Sequence, residues 1–486
     1  MIPIRRALWN ARLARGRAPE FLARLRALEH ASPEDLIAAR DESLQRILLH
    51  AHANVPYYTE VLTAAGVVED GTVRLENYAR VPLLDKPIIR SRIDDLVSRD
   101  SHTRGPYDNT SGGSTGEPVR FVQDSDTNDW KVAGALLFER WTGYRQGEPL
   151  ALLWGAGRDM LNLPLRARVG AYLRNELRLN AYQMSPSVMD DYITKLNAFR
   201  PTLILAYAQS LHQLAEHAER MGRPVVSPRS IMTSATTLEP AMRTTIERVF
   251  KAPVFDRYGS REVGGVAGEN GDGLGMLLPP LTHFVEVVDQ DGMPVPEGVT
   301  GELVVTLLVN YSMPLIRFRI GDAGALGPPV GASPWPRLTN VLGRVTDIFY
   351  TASGDRIYGG LFTRHFYGKE WVAQFQVVQE AYDHVVVRIV PAGDIAPDTF
   401  ADEKRELVSA FKGFMGQECR VDIELVQGIE VGPTGKRRYT VSHVGPQVLP
   451  QSRSVSSPRE AAMSGDLWGV VLAAVLLMLN AFFVGA

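Results

Sequence analysis

The chain has 486 residues, a formal net charge of −3, 45% apolar residues and 22% charged residues. That length exceeds one hydrophobic core and sets an expectation of two or three domains, while the lack of a basic excess argues against a nucleic-acid binder. Cys419 is the sole cysteine, which excludes an intrachain disulfide and a thiolate metal cage and fits a reducing compartment.

No apolar leader is read at the N-terminus. Arg12, Arg15, Arg17, Arg24 and Arg26 are interleaved with Leu8, Leu13, Phe21, Leu22, Leu25 and Leu28. This spacing predicts an amphipathic helix, either packed on the body with a solvated basic face, the reading preferred here, or lying on anionic lipid. Further on, Asn109 to Pro118 runs Asn-Thr-Ser-Gly-Gly-Ser-Thr-Gly-Glu-Pro. The backbone N–H groups and hydroxyls of Thr110, Ser111, Gly112, Gly113, Ser114, Thr115 and Gly116 can wrap phosphate oxygens. No Gly-Lys-Ser/Thr follows, so this is not a Walker A loop.

Leu203 to Tyr207 is an apolar run fit for a buried strand. A helix capped by Ser210 is expected next, ending near Gly222. Val225 to Thr233 and Pro253 to Tyr258 read as strands, with a helix from Glu239 to Phe250 between them. The alternation predicts an α/β core. Phe284 to Val288 and Glu302 to Leu308 read as a hairpin with a long connection. From Arg344 a smaller α+β unit is expected: a strand pair around Asp347 to Tyr358, strands at Val385–Val390 and Val421–Leu425, and a helix from Asp398 to Phe411. Residues 446–466 read as a linker. Leu467 to Ala486 is nearly all apolar, and about 20 such residues can span a bilayer. It is either a tail anchor or, from Met463, the start of a separate membrane protein.

Five segments occur in an order that resembles one superfamily. Thr-Ser-Gly-Gly-Ser-Thr-Gly-Glu-Pro is similar to the phosphate loop of adenylate-forming enzymes, with Glu117 where many members carry lysine. Tyr258-Gly-Ser-Arg-Glu262 resembles their Tyr-Gly-x-x-Glu element, and Arg317-Phe-Arg-Ile-Gly-Asp322 their Tyr-Arg-Thr-Gly-Asp element. Gly343-Arg-Val-Thr-Asp347 resembles the hinge, and Pro433-Thr-Gly-Lys436 the C-terminal Gly-Lys element. Val55-Pro-Tyr-Tyr58 and Val81-Pro-Leu-Leu-Asp-Lys86 are similar to the N-terminal region of phenylacetate–coenzyme A ligases and their relatives from capsular polysaccharide clusters. The resemblance runs from about residue 30 to 445.

The resemblance implies a large AMP-binding domain of mixed sheets and helices over 1–343, and a small mobile α+β domain over 344–445. It implies that Tyr258 lies against adenine, that Gly259 belongs to the same nucleotide-binding element and that Glu262 helps to hold magnesium. Asp322 would bind the ribose hydroxyls, Arg344 would touch ribose or phosphate, Asp347 would be the hinge, and Lys436 would be the catalytic lysine. ATP, Mg²⁺ and coenzyme A are the implied cofactors. The implied reaction turns a carboxylic acid into an acyl-adenylate with release of pyrophosphate, followed by thioester formation. Transfer to an amine or hydroxyl in cell-surface polysaccharide assembly, or a scaffold that binds nucleotide without catalysis, stand as alternatives. Trp154, Tyr182 and Tyr207 are candidates to line the acid pocket. A cytoplasmic location is expected, with anchoring on the cytoplasmic face of a membrane if the tail is a span.

Overall fold

The Leu150–Trp154 and Leu203–Tyr207 strands are nearly unbroken apolar runs, the pattern of parallel strands covered on both faces. A computed structural model describes residues 2–445 except 112–118, 156–164, 182, 332, 345–347, 360–361, 363, 367–368, 370, 394–395 and 430–438. Tyr182, the loop from Gly112 to Glu117, Asp347, Lys436, the linker and the apolar tail therefore lie outside the described residues. Among the described residues, no helix is long and apolar enough to cross a membrane.

Among the described residues, eleven strands form one mixed sheet. Glu176–Asn180, Leu150–Trp154, Leu203–Tyr207, Ser230–Ser234 and Val254–Ser260 run parallel to their neighbours in that spatial order. The sheet then turns antiparallel through Gly264–Glu269, Met276–Leu277, Arg337–Arg344, Phe318–Gly327, Gly301–Leu307 and His283–Val288. The expected strand–helix alternation and the hairpin are both present. The 230–234 strand starts later than the apolar pattern suggests. Pro224 and Pro228 lack the N–H that a ladder needs, so residues 225–229 stay outside it.

The helix after Leu203–Tyr207 begins at Ala208, with Tyr207 as its cap residue. Ser210 sits one turn inside it and its hydroxyl donates to the Ala181 carbonyl at 2.9 Å. The N-terminal basic helix is packed as preferred: Phe21 and Leu25 of Ala18–Ala27 are buried, and Phe21 stacks on Trp130 at 4.1 Å. Trp130 belongs to the Ser125–Trp141 helix, whose start is fixed by Asp124. The Asp124 carboxylate accepts from Thr127 N at 2.8 Å and from Tyr311 N and Ser312 N at 3.1 Å. One buried cap thus sets both the helix and a distant loop.

The C-terminal α+β part is a four-stranded sheet in the spatial order Arg420–Leu425, His384–Pro391, Val372–Ala381, Thr440–Ser442, with the Pro397–Met415 helix on it. Its core is aromatic, with Phe349, Phe362 and Phe411 fully enclosed. The Arg337–Arg344 strand leads into this part from the large sheet.

Candidate active site

Gly259 lies where the chain reverses tightly between Val254–Ser260 and Gly264–Glu269. A Cβ there would fall 2.2 Å from the Gly264 carbonyl oxygen, so the turn accepts only glycine. The reversal presents Glu262 as a buried carboxylate at its apex. Two contacts fix it from behind: Gln123 Nε2 donates to the Glu262 carbonyl at 2.9 Å, and His283 Nε2 donates to the Val263 carbonyl at 2.9 Å. Gln123 ends the Arg120–Gln123 strand, which pairs with Tyr107–Thr110 and frames the Gly/Ser loop. Ser111 closes that hairpin, since its N–H donates to the Val119 carbonyl and its Oγ accepts from Val119 N at 2.8 Å. The strands that flank residues 112–118 are therefore tied to the turn carrying Glu262.

Tyr258 Oη donates to Asp322 Oδ2 at 2.7 Å. The two residues come from strands that are not neighbours in the sheet, and this bond joins two motifs read separately in the sequence. Asp322 stands opposite Arg344 in the antiparallel pairing of their strands, so the backbone of a third motif reaches the same place. Tyr258, Asp322 and the Arg344 backbone thus converge, Glu262 lies in the turn four residues after Tyr258, and Thr110 and Ser111 stand at the base of the loop.

A model described as the CapK C-terminal domain matches residues 349–443. Protein CapK of Staphylococcus aureus is 23% identical over 420 residues, covering 84% of this chain and 90% of CapK. A phenylacetate–coenzyme A ligase of Aromatoleum evansii is 29% identical over 336 residues, covering 67% of this chain and 74% of the ligase. The crystal structure of 2-hydroxyisobutyryl-CoA ligase in the postadenylation state, in complex with R3-HIB-AMP, superposes with a TM-score of 0.68 at 20% identity, covering 94% of each chain. The chain is thus similar in sequence to CapK and to phenylacetate–coenzyme A ligases, and it shares the fold of 2-hydroxyisobutyryl-CoA ligase.

Three further residues near these motifs are unassigned by the sequence pattern. Lys86 Nζ approaches Glu262 Oε1 to 3.4 Å. It arrives because Leu84 N donates to the Arg317 carbonyl and Arg319 N donates to the Leu84 carbonyl, which zips the 81–86 segment onto the strand leading to Asp322. The second is Lys131, whose Nζ donates to the Arg261 carbonyl at 3.2 Å. Burial pulls its pKa down to about 8, with the Glu262 charge opposing. Glu262 thus sits in the field of two lysines. Third, the guanidinium of Arg257, one residue before Tyr258, lies over the Trp154 ring at 5.3 Å. Trp154 and Tyr207, both candidates for the acid pocket, meet edge to face at 4.5 Å.

His283 gives the site a pH signature. It is enclosed, with Nδ1 2.8 Å from Thr282 Oγ1. Burial lowers its pKa to about 4, the Val263 carbonyl opposes this and the Lys131 charge adds to it. An unfolded histidine titrates near about 6.5, so between pH ~6.5 and ~4 the unfolded chain binds the extra proton. Stability from this group is full above the upper value and falls as pH drops toward the lower, by on the order of 3 kcal/mol. Urea unfolding of the full chain between pH 7 and pH 4.5 is expected to give a steeper loss for the natural chain than for His283→Gln. Equal slopes would remove His283 as the titrating group.

Proposed function

We propose that the chain activates a carboxylic acid with ATP, releasing pyrophosphate and forming an acyl-adenylate, and then transfers the acyl group to the thiol of coenzyme A. The observation that supports this furthest is the Tyr258–Asp322 bond, which joins an aromatic face to a carboxylate. The aromatic suits adenine and the two carboxylate oxygens suit the ribose diol. Transfer to coenzyme A is favoured over an amine or hydroxyl acceptor because the relatives named phenylacetate–coenzyme A ligase match 61–67% of the chain.

Magnesium fits this donor set. Such an ion is usually held by one or two carboxylates together with substrate phosphates, and Glu262 offers one hard carboxylate; among the described residues no larger cluster of ligands competes. When bound, the ion would neutralise charge on phosphate oxygens. Lys86 stands close enough to share that task. Thr110, Ser111, Gly112, Gly113, Ser114, Thr115 and Gly116 would hold the leaving phosphates, and Lys436 would bring a further positive charge as the α-phosphorus is attacked. In this reading, residues from Arg344 onward turn about Asp347, excluding water from the adenylate and later admitting the thiol. Dependence on ATP and coenzyme A suits a cytoplasmic enzyme, with residues 467–486 as the segment that would hold it to a membrane.

The test is pyrophosphate release from ATP and magnesium by the full chain, across aryl, aliphatic, dicarboxylic and sugar-derived acids. Release is expected only with a suitable acid, and coenzyme A should raise turnover. ATP binding without acid-dependent release across the panel would reduce the chain to a nucleotide-binding protein.

A further inference from the structure

Arg257 lies on the Val254–Ser260 strand between Asp256 and Tyr258, so its side chain leaves the opposite face of the sheet from theirs. Neighbouring atoms surround its guanidinium, and the residue as a whole is half-buried. Among the described residues it makes no ion pair and no side-chain hydrogen bond; its contact is the Trp154 ring at 5.3 Å.

The nearby carboxylates are spoken for. Glu139 binds Arg174 at 2.8 Å and Gln146 at 2.6 Å. Glu269 binds Arg243 at 2.7 Å. Asp256, on the far face, accepts from Thr233 Oγ1 at 2.8 Å, and burial raises its pKa to about 7. A desolvated guanidinium is costly unless paired, and a ring face offsets only part of that cost. Its planar fork of N–H donors matches a carboxylate. Trp154 and Tyr207 close the carboxyl ends of neighbouring parallel strands, the side on which open α/β sheets bind ligands.

We infer that Arg257 makes the chain selective for an acid carrying a second anionic group, with one carboxylate activated at the nucleotide and the other paired with this guanidinium beside the Trp154–Tyr207 wall. This rests on the adenylation reading above. The substrate class is a dicarboxylate or a close anionic equivalent, and a flat or short body suits the aromatic wall.

The probes are acyl-sulfamoyl adenosines in two matched pairs: 4-carboxybenzoyl against 4-methylbenzoyl, and glutaryl against pentanoyl. Calorimetry compares the natural chain with Arg257→Met and Arg257→Lys. In at least one pair the carboxylate member is expected to bind the natural chain about 30-fold more tightly than its methyl partner. Arg257→Met should abolish that advantage while the methyl member still binds, and Arg257→Lys should restore part of it. Equal or tighter binding of the methyl members in both pairs, or an advantage that survives in Arg257→Met, overturns the inference with adenylation intact. Failure of all four probes to bind overturns the adenylation reading itself. ATP binding by Arg257→Met checks its fold; if it is lost, the natural chain and Arg257→Lys decide.

Discussion

Asp322→Ala is expected to raise the KM for ATP by about 10²- to 10³-fold in the pyrophosphate-release assay. Hydrogen bonds to a charged group contribute about 1.5–3 kcal/mol each, and a ribose diol would use two of them. Asp322 is buried and holds the Tyr258 hydroxyl at 2.7 Å, so the same substitution strips that hydroxyl of its acceptor. Two further variants separate the roles. Tyr258→Phe keeps the aromatic face and removes only the hydroxyl, and should cost less than about tenfold. Asp322→Asn keeps one acceptor oxygen, loses the charge, and should fall between the two. If Tyr258→Phe is as damaging as Asp322→Ala, the carboxylate serves only to hold the tyrosine. An unchanged KM in Asp322→Ala would remove it from the nucleotide site.

The residues with nucleotide roles were legible because each sits in a short motif whose order along the chain is informative. What the motifs could not give is their meeting. Tyr258 and Asp322 lie on strands separated by others in the sheet, and only the curvature and order of eleven strands bring the hydroxyl to the carboxylate. Lys86 was read only as part of a resembling stretch. Its approach to Glu262 depends on backbone bonds from Leu84 to residues far along the chain. Arg257 is not legible as a site residue, because an arginine in an alternating strand reads as a solvent-facing position. The opposite face of this strand is covered, so the alternation places a charge inside. A signal is present: Phe255, two residues before it, and Tyr258, directly after it, are poor surface residues, and a charge so close to aromatics next to a binding motif invites the question of what it meets. Strand ends were less legible, since Pro228 cancels an apolar pattern through a missing N–H rather than through hydropathy.

Arg317→Met is expected to destabilise the fold by about 3–5 kcal/mol, the range for removing one partner of a buried charge pair. Arg317 is 2% exposed. Its Nη2 lies 3.1 Å from Glu286 Oε1, and its other donors bind the Ala79, Val81 and Gly292 carbonyls at 2.6, 2.7 and 2.6 Å. All of these acceptors are left without a donor when the guanidinium goes, and Glu286 becomes a buried carboxylate without its cation. The residue also holds φ at 48°, a conformation that side chains rarely adopt, so the surroundings must hold it there. A double replacement, Arg317→Met with Glu286→Leu, should recover a large part of the loss, because no charge is then left stranded. Urea unfolding of the three variants measures this. A single-variant loss below about 1 kcal/mol would mean that the pair is solvated in solution. The effect reaches the active site through the backbone: the Arg317 carbonyl accepts from Leu84 N, two residues before Lys86. Activity of Arg317→Met at a temperature where it stays folded should therefore fall through Lys86 and Glu262, and the double variant should regain stability before it regains rate.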